Sequence, residues 1–307
     1  MHRTVCRRLP ASRLTSLAPR RRILCSVATG SPPLMTCFAA GLTGGGVGAL
    51  VGIGGGAVMV PIMTAYAKMT QHQAVGTSSA AIAGTGLAGM ISFGSAGAVD
   101  LTAAAALAST AILTARFGAH FTKRFDPVQL GRAFAWFQIV VAPLVPLKAE
   151  LTRRSKQQSA ASGSEDGNGA AAASVAPPPQ TDSERTRQLL QLGATGLVAG
   201  FASGMFGIGG GVILTPALCL FTEMPHACVL GTTLASMVPP SLVSAATHRQ
   251  MGNVVGAVVA PLVIGSAIGA ACAGQLAVRA PEEPLQWGFA IFLGLSGARK
   301  LWSMRGV

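Results

Sequence analysis

Residues 52–56 have the sequence Gly52-Ile53-Gly54-Gly55-Gly56 and lie inside a long apolar segment, residues 34–66. At 1.5 Å per residue, one helix over that segment would be about 50 Å long, whereas the hydrocarbon core of a bilayer is roughly 30 Å thick. Glycine costs about 1 kcal/mol relative to alanine inside a helix, so this cluster strongly weakens a continuous helix. We therefore predict a first helix that is broken at the cluster into two shorter helices.

The cluster occurs twice in the chain. It returns as Gly207-Ile208-Gly209-Gly210-Gly211, and residues 41–147 align with residues 196–302 at a constant offset of 155 without gaps. Residues separated by this offset are called matched positions below. Further matched landmarks are Gly41 and Gly196, Gly45 and Gly200, Pro61 and Pro216, Gly76-Thr77 and Gly231-Thr232, and Gly97 and Gly252. The pattern predicts an internal duplication.

Composition predicts the fold class. Only 11% of the residues are charged and 50% are hydrophobic, against about 25% charged in soluble domains. The apolar segments are 34–66, 74–96, 99–121 and 128–147 in the first repeat, and 189–222, 227–247, 253–278 and 284–302 in the second. We predict an all-α polytopic integral membrane protein with two homologous repeats of about four hydrophobic segments each, which excludes a soluble domain or a nucleic-acid binder.

The charge is concentrated at the start of the chain. Residues 1–33 contain seven arginines and no acidic residue, within a net charge of +13. This composition is typical of a mitochondrial or plastid transit peptide and predicts an organellar inner membrane. The alternative is a cytosolic tail that obeys the positive-inside rule, in a plasma membrane.

The remaining boundaries follow from polarity. Residues 148–188 are polar and of low complexity, which predicts a disordered linker between the membrane repeats 34–147 and 189–307. Each first segment either returns as a re-entrant hairpin or crosses completely. An odd number of crossings per repeat makes the repeats inverted and an even number makes them parallel; we favour inverted repeats.

The glycine clusters are the candidate substrate site. In lipid, unwound backbone survives only where it is buried in protein or lines a cavity, and duplicated unwound segments typically mark a transport site. Uncovered N–H groups and the positive end of the following helix suit a small anion. The alternative is that the glycines only allow close helix packing. The predicted substrate-binding residues are Gly52, Gly54, Gly55, Gly56, Thr77, Ser78, Gly207, Gly209, Gly210, Gly211, Thr232 and Thr233.

The hydroxyls of this set open the second segment of each repeat, where they either cap the helix or donate to an anion. Arg116 is placed to snorkel to the bilayer surface, and His248 lies beside a loop. Residues 84–89 match a dinucleotide-binding pattern but lack the preceding strand, so we reject it. We expect no catalytic residue, no metal and no cofactor, and we predict that the protein is not an enzyme.

In its repeated motifs, the chain resembles the sulfite exporter TauE/SafE family. The resemblance rests on the glycine cluster, the proline five residues later (Pro61 and Pro216) and the sequence Ala74-Val75-Gly76-Thr77-Ser78, and it covers residues 35–305. The second repeat departs from the last motif with Val229-Leu230-Gly231-Thr232-Thr233. The resemblance implies a permease that exports sulfite or organosulfur anions without ATP hydrolysis. The alternative is a membrane structural or assembly protein.

The predicted partners follow from this reading. They are the lipid bilayer and a small anionic substrate, with a proton or the membrane potential as the driver of export, and nucleic acid is excluded. The oligomeric state stays open.

Overall fold

The computed structural model describes residues 34–143, 182–222, 224–277 and 282–303, and all regular secondary structure in these ranges is helical. The leader, residues 1–33, and residues 148–181 of the predicted linker lie outside the described residues. The helices are α1 (Leu34–Val51), α2 (Gly56–Ala65), α3 (Gln71–Gly94), α4 (Leu101–Phe121), α5 (Pro127–Val141), α6 (Asp182–Phe206), α7 (Gly211–Phe221), α8 (His226–Gln250), α9 (Gly256–Ala277) and α10 (Glu282–Ser303).

The predicted break is present in the first segment, and the chain reverses there. Helix α1 ends at Val51 and α2 begins at Gly56. A Cβ on Gly44 would lie 2.4 Å from Cγ of Met59, and one on Gly48 would lie 2.3 Å from the nitrogen of Gly55. Since residues further along α2 approach earlier residues of α1, the two helices run antiparallel. The first segment is therefore a hairpin, not two helices in line.

Glycine is required at this reversal. Gly52, Gly54 and Gly55 have φ of 74°, 78° and 80°, in the left-handed region that costs roughly 1–2 kcal/mol for other residues. The second cluster has the same conformation, with φ of 63°, 81° and 77° at Gly207, Gly209 and Gly210. The sequence of each cluster is thus dictated by the turn that it forms.

Side-chain caps begin α3 and α4. The hydroxyl of Thr70 and the amide of Gln73 form a reciprocal capping box at the start of α3. The carboxylate of Asp100 accepts from the backbone N–H groups of Thr102 and Ala103 at the start of α4, at 2.8 and 3.0 Å. The apolar pattern places the start of the second segment at residue 74, whereas α3 begins at Gln71. The difference arises because the first turn of α3 is polar.

Helices α3 and α8 cross at the centre of the bundle and run antiparallel. The hydroxyls of Ser79 and Ser244 are 3.1 Å apart. Near the other end of the pair, a Cβ on Gly86 would lie 2.8 Å from the carbonyl oxygen of Leu234. Because α3 and α8 occupy matched positions, the corresponding helices of the two halves point in opposite directions. This is the geometry expected of inverted repeats.

The two halves are intertwined through their outer helices. A Cβ on Gly41 or Gly45 of α1 would lie 2.3 or 2.2 Å from the backbone oxygens of Leu262 or Ser266 of α9. The matched pair α6 and α4 packs in the same way, through Gly196, Gly200 and Gly204. These glycines, spaced by four, serve close helix packing, and each half supplies the partner of the other half's first helix.

The outside of the bundle is apolar. Within the described residues, five helical segments are long and apolar enough to cross a membrane: Leu34–Val51, Gln71–Gly94, Leu101–Arg124, His226–Gln250 and Gly256–Ala277. Large apolar side chains such as Ile91, Phe117 and Ile264 are 68%, 72% and 55% exposed, which a bilayer would cover. The all-α, polytopic membrane fold predicted from the sequence is confirmed for the described part of the chain.

The second half of the bundle begins before residue 188, the predicted end of the linker. Helix α6 begins at Asp182, so residues 182–188 of the predicted linker belong to this helix.

Candidate functional site

The two hairpin turns meet at the centre of the molecule. A Cβ on Gly54 would lie 3.2 Å from both Cγ2 of Ile82 and Sδ of Met237. One on Gly209 would lie 2.6 and 3.1 Å from the same two atoms. Ile82 and Met237 are matched residues at the midpoints of α3 and α8. The turns therefore lie halfway along α3 and α8, on either side of one apolar pair.

The turns also touch each other directly. A Cβ on Gly56 would lie 2.3 Å from the carbonyl oxygen of Gly207, and one on Gly211 would lie 2.6 Å from that of Gly52. Approaches this short leave no room for a side chain, so glycine is required by packing as well as by φ. The structure thus brings together all eight glycines of the predicted site.

Each turn opens a short helix whose first turn is buried. Gly55 and Gly210 are the N-cap residues of α2 and α7, and neither helix start has a side-chain cap. The first N–H groups of a helix have no partner within the helix, and the helix dipole places partial positive charge there. Residues 51–60 and 202–212 are buried. Two positive helix ends therefore converge inside the protein, which is a chemical environment suited to an anion.

Hydroxyls from the opposite half hold the turn carbonyls. Oγ1 of Thr215 donates to the carbonyl oxygen of Gly52 at 2.7 Å. Oγ of Ser78 donates to that of Gly207 at 2.9 Å and also lies 3.0 Å from the carbonyl oxygen of Val75. Ser78, one of the predicted substrate-binding residues, therefore lies at the turns, whereas Thr215 was missed because a threonine inside an apolar helix carries no signal.

The three threonines of the predicted site lie against other groups. Oγ1 of Thr77 accepts from the N–H of Val255 at 3.3 Å, and Oγ1 of Thr232 accepts from the N–H of Asp100 at 2.9 Å. Val255 and Asp100 are themselves matched, so these bonds fasten the loops before α9 and α4 symmetrically. Thr233 donates back to Val229 of its own helix at 2.7 Å.

The proline that follows each cluster changes the first turn of the short helix. Pro61 has no N–H, so it cannot donate to the carbonyl of Ala57, four residues earlier. Nε2 of Gln138 donates to that carbonyl instead, at 3.1 Å. The spacing of Pro61 predicts an unpaired carbonyl, but not which residue of another helix satisfies it.

Two ionisable residues are placed in contrasting surroundings. Arg116 is exposed on α4, in agreement with a side chain that snorkels. His248 is fully buried, and its Nε2 lies 3.0 Å from the carbonyl oxygen of Gly204. His248 lies two residues before the end of α8, beside the loop that follows, but the sequence does not show that Gly204 of α6 covers it.

Within the described ranges, no three His, Cys, Asp or Glu side chains are grouped closely enough to hold a metal ion.

Comparison with known proteins gives the family. The model of the family described as "Sulfite exporter TauE/SafE" matches residues 10–144 and 180–306. The chain is similar to "Probable membrane transporter protein YunE" of Bacillus subtilis, with 25% identity over 225 residues, which cover 70% of this chain and 77% of that protein.

Shorter similarities have the same character. A "Probable membrane transporter protein" of Haemophilus influenzae is 37% identical over 67 residues, 20% of this chain and 25% of that protein. A protein of the same description from Xylella fastidiosa is 29% identical over 93 residues, 30% of this chain and 36% of that protein. No solved structure matches the chain.

These relatives are bacterial, so organellar placement remains a proposal from the basic leader alone. The family match covers both halves of the chain, and the fold is a bundle of membrane-spanning helices. The chain therefore belongs to the sulfite exporter TauE/SafE family and is a multi-pass membrane transporter.

Proposed function

We propose that this transporter carries sulfite or a small organosulfur anion, and that the anion binds between the two glycine turns. The observation that supports this assignment is the meeting of the starts of α2 and α7, both buried and both without a side-chain cap. Backbone N–H groups and two helix dipoles together favour a negative charge. The glycines leave those N–H groups uncovered.

Access to this site requires movement of one apolar pair. Ile82 and Met237 stand between Gly54 and Gly209, where an anion would approach both helix starts. Methionine is unbranched and flexible, so Met237 can change rotamer at low cost. We propose that these two side chains close the site between transport steps, and that only a small anion fits when they move.

The opposed directions of the two halves suit a carrier. In transporters built from inverted repeats, the halves rock about a central site and open it to each side in turn. The intertwined contacts of α1 with α9 and α6 with α4 join the halves at their outer edges, while the turns meet at the centre. We propose that a proton or the membrane potential drives net export.

A second candidate is a structural or assembly role in the membrane. It is favoured by Gly41, Gly45, Gly200 and Gly204, whose contacts are close helix packing. This role predicts that the glycine turns only stabilise the fold and that no anion crosses.

The first experiment is efflux from proteoliposomes. The purified full-length protein is reconstituted, the vesicles are loaded with radiolabelled sulfite, and efflux is followed with sulfate, thiosulfate or acetate outside. We expect efflux that saturates with sulfite concentration and is absent from protein-free liposomes. Absence of sulfite flux in either direction, with insertion verified, would exclude sulfite and favour the structural role.

A further inference from the structure

A second polar cluster lies outside the glycine turns, between the start of α3, α5 and α10. Gln71 and Gln138 are only 5% and 1% exposed. Nζ of Lys300 donates to Oε1 of Gln71 and lies 5.5 Å from the centroid of the Phe134 ring. Phe134 is fully buried. Two buried amides and a partly buried cation therefore lie together between these three helices.

Each amide has one buried atom without a partner, Nε2 of Gln71 and Oε1 of Gln138. Buried polar atoms are paired in the great majority of cases, because leaving one unpaired costs about as much as a lost hydrogen bond. The cluster thus offers one donor and one acceptor next to an ammonium group.

The cluster leads towards the glycine turns. A Cβ on Gly297, one helical turn before Lys300, would lie 3.3 Å from Cβ of Gln138, so Gln138 and Lys300 are neighbours on facing helices. Nε2 of Gln138 in turn donates to Ala57 in the first turn of α2. Gln138 therefore lies between the Lys300 end of α10 and the start of α2 that borders the turns.

We propose that Gln71, Gln138 and Lys300 bind a small monovalent oxyanion that still carries a proton, on its path to or from the glycine turns. The ammonium of Lys300 and Nε2 of Gln71 donate to its negative oxygens. Its hydroxyl donates to Oε1 of Gln138. For a sulfite carrier, on which this inference rests, the bound species is hydrogen sulfite.

The cluster belongs to one half only. The residues matched to Gln71, Gln138 and Lys300 are His226, Leu293 and Val145, which do not reproduce the set. The site therefore strengthens anion binding on one side of the inverted bundle, and we expect the two directions of transport to have different half-saturating concentrations.

The decisive variant is Gln71→Glu. It keeps the size of the side chain, replaces the Nε2 donor of Gln71 with an acceptor oxygen and places a negative charge beside Lys300. We expect the folded protein to be retained and sulfite binding to weaken about tenfold or more, because two charge-assisted hydrogen bonds are lost. Binding is measured by titration calorimetry on the detergent-solubilised full chain, with sodium chloride as the ionic-strength control.

Two further variants test whether sulfite binding depends on the charge of Lys300 itself or on any positive charge on α10. Lys300→Gln should weaken binding to a similar degree, whereas Arg299→Gln removes an exposed cation from the same helix and should leave binding unchanged. Wild-type affinity in Gln71→Glu, or no sulfite binding by the wild type, overturns the inference. Sulfite flux of the wild type, measured in parallel, tests the proposed function separately. If the wild type transports sulfite but the variants bind it as tightly as the wild type does, only the site at Gln71, Gln138 and Lys300 is rejected.

Discussion

At the scale of single residues, the glycines of the turns differ in what surrounds them. A Cβ on Gly55 would lie 2.1 Å from the backbone oxygen of Gly44, whereas a Cβ on Gly54 would meet only side-chain atoms of Ile82 and Met237. Backbone cannot yield, but the ends of flexible side chains can. At Gly54 and Gly209 the nearest neighbours of an added methyl group are thus side chains that can move, so these positions are the best suited for a test of function.

The double substitution Gly54→Ala with Gly209→Ala should lower sulfite flux at least tenfold while the protein still inserts as a monodisperse species. The added methyl groups cover the N–H groups between the helix starts and crowd the Ile82–Met237 pair. Each substitution also costs roughly 1–2 kcal/mol because φ is positive. Flux is measured in the proteoliposomes described above, and dispersity by size-exclusion chromatography.

The chain offers a matched control for that backbone cost. Gly97 and Gly252 also have positive φ, 69° and 76°, with nothing within 4 Å of an added Cβ. Gly97→Ala with Gly252→Ala should therefore destabilise the protein to a similar extent and leave flux near the wild-type value. Equal flux in both double variants would contradict an anion site at the turns.

At the scale of elements, the effect of a side chain on α1 depends on whether it lies on the face that packs against α9. Gly45 faces α9 so closely that a Cβ would lie 2.2 Å from the backbone oxygen of Ser266, while its neighbour Gly46 would have its nearest contact at 3.6 Å. There is therefore no room for a side chain at Gly45, whereas a methyl group fits at the adjacent Gly46.

Replacement of each by alanine should change stability in opposite directions. Gly45→Ala forces the two helices apart and should destabilise the protein by about 1–3 kcal/mol. Gly46→Ala should be neutral or stabilising by up to about 1 kcal/mol, because alanine is the better helix former. The measurement is the temperature at which the detergent-solubilised protein aggregates, and a lower temperature for Gly46→Ala than for Gly45→Ala would contradict the packing.

The helices also show which features of the fold can be predicted from the sequence. Apolar length and the glycine clusters predict the helices and their breaks, because both depend on local composition. They leave open whether α2 turns back along α1 or continues across the bilayer, since that depends on the approach of Gly48 to Gly55. The cluster of Gln71 and Lys300 is likewise invisible, because its members are remote in the chain and an isolated glutamine resembles any polar residue at a helix end.

At the scale of the whole molecule, matched helices point in opposite directions, so matched residues at helix ends belong to opposite faces. Ser95 at the end of α3 and Gln250 at the end of α8 are matched and exposed. If α3 and α8 cross the bilayer, these two residues are separated by its full thickness.

Single cysteines at these positions test the arrangement. In a variant without the native cysteines, Ser95→Cys and Gln250→Cys should react with a membrane-impermeant maleimide from opposite sides of oriented vesicles. Lysed vesicles, in which both should react, control for reactivity. Labelling of both positions from the same side would reject the inverted arrangement.

The contact between α1 and α9 has a consequence for biosynthesis. A ribosome completes α1 early, but the helix that fills its glycine-lined face is made only after the linker and most of the second half. Until α9 is made, the glycine-lined face of α1 is covered by lipid or by the insertion machinery. Folding of both halves is therefore completed in one late step, and a chain that stops before Gly256 yields no finished half.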